Sequence, residues 1–203
     1  MISVPLLFAA VIGFNHAFEA DHVLAVGNIA NSRKKFTVAI RDGFYWGLGH
    51  TSMILVIGLL IIMVRSLLTT FPFDFIEVLV GASLITLGGY RFFKKSHHEH
   101  NVVASTEQNH KMAYSMGLIH GLAGSGAVIL LAMAELEHSY ESMIYLLLFG
   151  CGSIVGMMIV AGVFNLPFSK KIKITKNIQI LFVKLSAVIC VGYGVYMMVN
   201  YFL

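Results

Sequence analysis

The sequence predicts an all-α integral membrane protein of six transmembrane helices, arranged as two inverted three-helix repeats. Three observations carry this expectation. Hydrophobic residues make up 58% of the 203 and charged residues 12%, with a mean hydropathy of +0.82, so the chain suits a bilayer better than water. Six apolar segments can be read, at about 2–30, 43–64, 75–93, 113–134, 143–166 and 178–202. Twelve of the fourteen Lys and Arg residues fall in alternate connections between these segments.

The first segment has no basic stretch ahead of it and is too long for the core of a signal peptide, so it reads as a span. Arg33, Lys34, Lys35 and Arg41 follow it; Arg91, at the soft end of the third segment, and Lys94, Lys95 and Lys111 lead to the fourth; Lys170, Lys171, Lys173 and Lys176 lie between the fifth and sixth. The positive-inside rule places these connections in the cytoplasm and both termini outside a multi-pass plasma-membrane protein. The basic balance therefore reports topology, and no nucleic-acid partner is expected. Cys151 and Cys190 sit apart in apolar segments without CxxC spacing, which excludes a disulfide framework and a thiolate metal site.

A repeat shows at an offset of about 104 residues. Gly13-Phe14-Asn15-His16-Ala17 matches Gly117-Leu118-Ile119-His120-Gly121, Trp46 to His50 matches Phe149 to Ser153, and Ser83 to Gly88 matches Ala187 to Gly192 more weakly. Three spans per copy is an odd number, so the second copy enters the membrane upside down, an arrangement that puts a substrate site near the midplane. The chain thus reads as a single transmembrane domain, 1–203, with repeat 1 over 1–93, a cytoplasmic His-containing loop over 94–112 and repeat 2 over 113–203.

The chemistry concentrates in the first segment, where His16, Glu19, Asp21 and His22 interrupt an apolar run. Each acid near the centre of a span opposes insertion by roughly 2.5 to 3.5 kcal/mol. Ionisable groups at that depth usually mark an ion path, and mixed histidine and carboxylate suit a borderline divalent metal. At about 100° per residue, His16, Glu19 and His22 share one helix face while Asp21 points away. Either Asp21 orients a histidine of a neighbouring helix, or the helix unwinds near Ala20. His50, in Gly47-Leu48-Gly49-His50-Thr51-Ser52, is the candidate that closes the site or receives Asp21. His120 is the second repeat's contribution, in the small-residue run His120-Gly121-Leu122-Ala123-Gly124-Ser125. Asn15, Asn28, Thr51, Ser52 and Ser125 are candidates for the surrounding shell or the path. His97, His98 and His100 form a loop tract able to hold a metal loosely.

These residues resemble a known family. His16-Ala17-Phe18-Glu19-Ala20-Asp21-His22 fits the HxxxxDH signature of nickel/cobalt transporters of the NiCoT type, and Leu48-Gly49-His50-Thr51-Ser52 is similar to their second signature. Glu19 and Gly27 stand where that pattern has Asp, and His120 to Ser125 is similar to the urease-accessory, NicO-type branch. The resemblance implies that His16, Asp21, His22 and His50 occupy the family's functional positions, with Asn28 a lesser one. It also implies Ni2+ or Co2+ as the transported ion.

The expected function is a secondary transporter, not an enzyme, that takes up Ni2+ or Co2+ and carries no organic cofactor. Its expected partners are the ion, the lipid bilayer and a cytoplasmic metallochaperone. Efflux by the same fold, and a metal sensor or chaperone for urease or hydrogenase maturation, are the alternatives. A thiol-redox relay does not fit, because histidines stand where paired cysteines would be needed.

Overall fold

A computed structural model describes residues 4–31, 33, 35–63, 74–93, 110–122, 139–168 and 175–202. All the regular structure among them is helical. In chain order the elements are α1 (Val4–His16), α2 (Ala20–Ala30), α3 (Phe36–Met63), α4 (Asp74–Phe93), α5 (110–122), α6 (Ser139–Asn165) and α7 (Lys176–Phe202), with one 3-10 turn, Leu166–Phe168, after α6.

Three of these helices are long and apolar enough to cross a membrane, over Phe36–Leu60, Tyr140–Phe168 and Asn177–Asn200. Several helices begin earlier than their apolar segments. The second expected span opens at 43 but α3 opens at Phe36, and α5 is already helical at 110 rather than 113. Hydropathy marks only the hydrocarbon depth, whereas backbone hydrogen bonding carries a helix on into the interfacial layer.

The first segment is two helices. α1 ends at His16, Ala17 to Glu19 form a turn, and α2 starts at Ala20. Glu19 takes an extended conformation (φ −62°, ψ 149°) and occupies the N-cap position of α2. Of the two arrangements open to Asp21, the chain adopts the unwound one. Asp21 then lies in the first turn of α2, where a carboxylate meets the positive end of the helix dipole.

Close backbone approach sets the packing, and it occurs in matched pairs. A side chain at Gly13 would collide with the Phe149 carbonyl, and one at Gly152 with the Ala10 carbonyl, which fixes α1 against α6. In the same way Gly117 abuts the Trp46 carbonyl and Gly49 the Tyr114 carbonyl, which fixes α5 against α3. Gly47 meets Ile154 while Gly150 meets Thr51, bringing α3 and α6 together at the centre. α4 and α7 pair through Gly81, Gly88 and Gly194, and α2 packs on α3, α4, α6 and α7. Small residues at such crossings let dispersion between backbones replace a hydrophobic drive that lipid cannot supply. The apolar side chains left outside, among them Phe8, Val11, Val56, Leu181, Leu185 and Val188, suit a lipid-facing surface.

Candidate metal centre

Because α1 stops at His16 and α2 restarts at Ala20, His16 and His22 approach each other, with ring centroids 4.6 Å apart. α3 contributes His50 from beside its close-packed glycines, with its ring 5.3 Å from His16 and 4.9 Å from His22. α5 brings His120 to 5.6 Å from His22. All four imidazoles are buried. The ligand atoms of His16, His22 and His50 lie within 4.8 Å of one another.

Hydrogen bonds decide which ring nitrogens are free. His16 Nδ1 donates to Glu19 Oε1 at 2.7 Å, and His22 Nδ1 donates to Asp21 Oδ1 at 2.9 Å. His120 Nδ1 donates to the Met116 carbonyl at 3.1 Å. An ionised carboxylate and a carbonyl only accept, so each of these imidazoles holds its proton on Nδ1 and turns the Nε2 lone pair to the interior. Among the described residues, the Nε2 atoms of all three are buried without a hydrogen-bond partner, and so are both ring nitrogens of His50. A carboxylate or carbonyl behind an imidazole fixes its tautomer and raises its basicity, as at many metal sites. Four imidazoles, each with at least one unpaired ring nitrogen in one small volume, are costly unless something binds them.

Glu19, Asp21 and His22 form a second group whose ligand atoms lie within 4.8 Å. Its side chains grade from open to closed: Glu19 is 58% exposed, Asp21 16% and His22 fully buried. Oxygen donors thus stand on the accessible side and nitrogen donors within, with His22 in both groups. Asp21 serves His22, its own neighbour, and not His50 or another helix as the sequence reading allowed. Once the helix unwinds, the adjacent ring is the one in reach.

The surrounding residues divide. Thr51 donates to the Gly150 carbonyl at 3.2 Å and Ser52 to the Leu48 carbonyl at 2.7 Å, so both hydroxyls serve helix packing. Asn15 is exposed, and Asn28 is buried beside the Cys190 thiol, toward α7. Ser125 and the tract His97, His98 and His100 lie outside the described residues. The structure also reveals what the sequence reading overlooked. Trp46, fully buried, rests 4.8 Å from the His120 ring. Its spacing of four residues from His50 was the available signal, but an aromatic residue in an apolar helix reads as ordinary core.

No protein-family model matches the chain, and no solved structure matches it. Among curated proteins it is similar to urease accessory protein UreH of Bacillus sp. (strain TB-90), with 32% identity over 210 residues, which cover 96% of this chain and 90% of that protein. It is also similar to cobalt transport protein NhlF of Rhodococcus rhodochrous, with 30% identity over 78 residues, or 37% of this chain and 22% of that protein. The full-length match and the histidine-carboxylate centre agree, and the chain belongs to the nickel/cobalt transporter family, in the branch of the urease accessory protein UreH.

Proposed function

We propose that the chain is a secondary transporter that moves Ni2+ or Co2+ across the plasma membrane, in the uptake direction, through the centre at the α1–α2 break. The carrying observation is the set of buried imidazole lone pairs fixed by Glu19, Asp21 and Met116. The names of the two relatives, urease accessory and cobalt transport, support the same substrate class. The family is one of transport proteins, and the chain is not an enzyme.

In this reading a partly hydrated ion meets Glu19 and Asp21 first. It then exchanges water for His16, His22 and His50, with His120 completing or releasing the set. Two carboxylates make the occupied site nearly neutral, which lowers the cost of holding a divalent ion at membrane depth. Imidazole binds a metal only when its ligating nitrogen is unprotonated, so protons and metal compete.

The reading includes six spans in two inverted repeats, both termini outside and a cytoplasmic loop over 94–112 that collects or hands on the ion, where a metallochaperone would act. Support for the repeat comes from the reciprocal contacts. Gly13 on Phe149 and Gly117 on Trp46 are matched positions with the halves exchanged, and so are Gly152 on Ala10 and Gly49 on Tyr114. The test is uptake of radioactive nickel or cobalt into liposomes holding the purified protein, with and without a proton gradient. Saturable uptake that vanishes in His22→Ala is expected. Wild-type protein that binds neither ion and moves neither would overturn the proposal.

A further inference from the structure

A second polar cluster lies at the end of the bundle that carries the basic connections. Arg33, between α2 and α3, grips Asp42 with two donors: Nε bonds Oδ2, and a terminal guanidinium nitrogen bonds Oδ1 at 2.9 Å. His110, at the start of α5, donates from Nδ1 to the same Oδ1 at 2.7 Å, and its ring stacks on Tyr45 at 4.9 Å. Asn165, at the end of α6, donates to the carbonyls of Ala30 and Arg33 at 2.9 and 2.7 Å. One buried carboxylate thus ties the ends of α2, α3 and α5 together, and Asn165 ties α6 to them. Charges so placed are expensive to desolvate, and apolar residues would hold a bundle end as firmly.

Asp42, Trp46 and His50 recur every four residues and form one stripe of α3 facing α5. The stripe runs about 12 Å from the Asp42 cluster to the histidines. Trp46 stands midway, packed on His120, and its indole N–H is buried without a partner. A donor left unsatisfied weakens the closed position of this ring, as suits a plug that must swing aside. The opposite end is built differently. There Tyr145 holds the position that matches Asp42 at an offset of 103 residues, among Ala9, Ile54, Leu146 and Phe149.

We propose that Trp46 is the inner gate of the ion path, and that the Arg33–Asp42–His110 cluster is the latch that holds it shut toward the end bearing the basic connections. This rests on reading the four-histidine centre as the transport site. When the latch parts, the start of α5 separates from α3, Trp46 loses its backing, and the His120 side of the centre opens. Among the described residues, Tyr145 at the other end sits in apolar contact, so the two matching positions are held by different forces.

Trp46 is the chain's single tryptophan, so it reports on itself. The test uses the full chain in lipid nanodiscs without metal, with acrylamide as a water-soluble quencher of Trp46 fluorescence. Wild type should be weakly quenched, with blue-shifted emission. His110→Ala, which leaves the Arg33–Asp42 pair in place, should raise quenching severalfold and shift emission to the red. Asp42→Asn should do so more strongly, and Tyr145→Phe, at the matching position of the other end, should do neither. A His110→Ala protein of wild-type helicity whose Trp46 stays as protected as before overturns the latch, as does an equal rise in Tyr145→Phe. If Asp42→Asn does not fold, His110→Ala decides alone. A separate titration of wild type with Co2+ tests the centre: saturable quenching of Trp46 places the ion beside it. Its absence overturns the transport-site reading, while the acrylamide series still reports whether the latch shields Trp46.

Discussion

In the repeat proposed above, the described parts of residues 4–93 and 110–202 share glycine contacts at matched positions and differ in the polar side chains beside them. His50 and Ser153 occupy corresponding positions in α3 and α6, each beside a glycine in close contact with another helix. His50 leaves both ring nitrogens free in the centre. Ser153 donates its hydroxyl to the Gly13 carbonyl at 2.9 Å and is spent on packing. His16 and His120 correspond as well, yet a carboxylate supports the first and a backbone carbonyl of its own helix the second. In the proposed carrier, two halves rocking against each other would need alike surfaces, whereas one ion needs a single unequal ligand set. Glycines provide the likeness, and histidines and acids the inequality.

The sharpest test of that division is ligand removal on either side. His22→Ala should weaken Ni2+ or Co2+ binding in detergent by more than about 100-fold, beyond what loss of a supporting group costs, and His120→Ala by about 10-fold. Equal losses in equilibrium dialysis would mean that the halves share the site evenly. A packing test comes next. Gly13→Ala and Gly117→Ala both force a methyl group onto a carbonyl, so each should destabilise the bundle by about 1–3 kcal/mol, and the two should lower the thermal midpoint alike. A large difference between them would break the likeness.

Protons and metal compete for the same imidazole lone pairs, so binding should weaken on acidification, because a ligating nitrogen must be unprotonated. Calorimetry in two buffers of different ionisation enthalpy should therefore show proton release on metal binding that grows as the pH is lowered. The smallest effect is expected from Ser153→Ala, at about 1 kcal/mol of stability with metal affinity unchanged. His50→Ser places the same small side chain at the matching position, and there affinity should fall with little change in stability. If Ser153→Ala lowered affinity as well, packing and chemistry would not be separable.

The sequence made His16, His22 and His50 legible because imidazoles and acids in an apolar run are costly and demand a purpose. The break was only half legible. Ala17, Phe18 and Glu19 include no Gly or Pro, so the reason to unwind lies in the side-chain bonds of His16 and Asp21, which no propensity scale contains. The Asp42–His110 contact joins residues 68 positions apart, and nothing local in either segment points to the other. Asn28 and Ser52 show the reverse: polar residues beside a motif attract a functional reading, yet Ser52 bonds its own helix.

The break at Ala17–Glu19 bears on the unloaded half of a transport cycle. A carrier must return without its ion, and bare carboxylates within a membrane would resist that step. Here α2 begins at Ala20, so the amides of its first turn, which carry a fixed fraction of positive charge, lie beside Glu19 at the N-cap and Asp21 in the turn. His22 adds its own backbone amide to the Asp21 carboxylate. The emptied site is therefore partly compensated by the main chain itself. In the proposed transport cycle this fixed dipole would offset part of the carboxylate charge on the return step, at every stage and without moving.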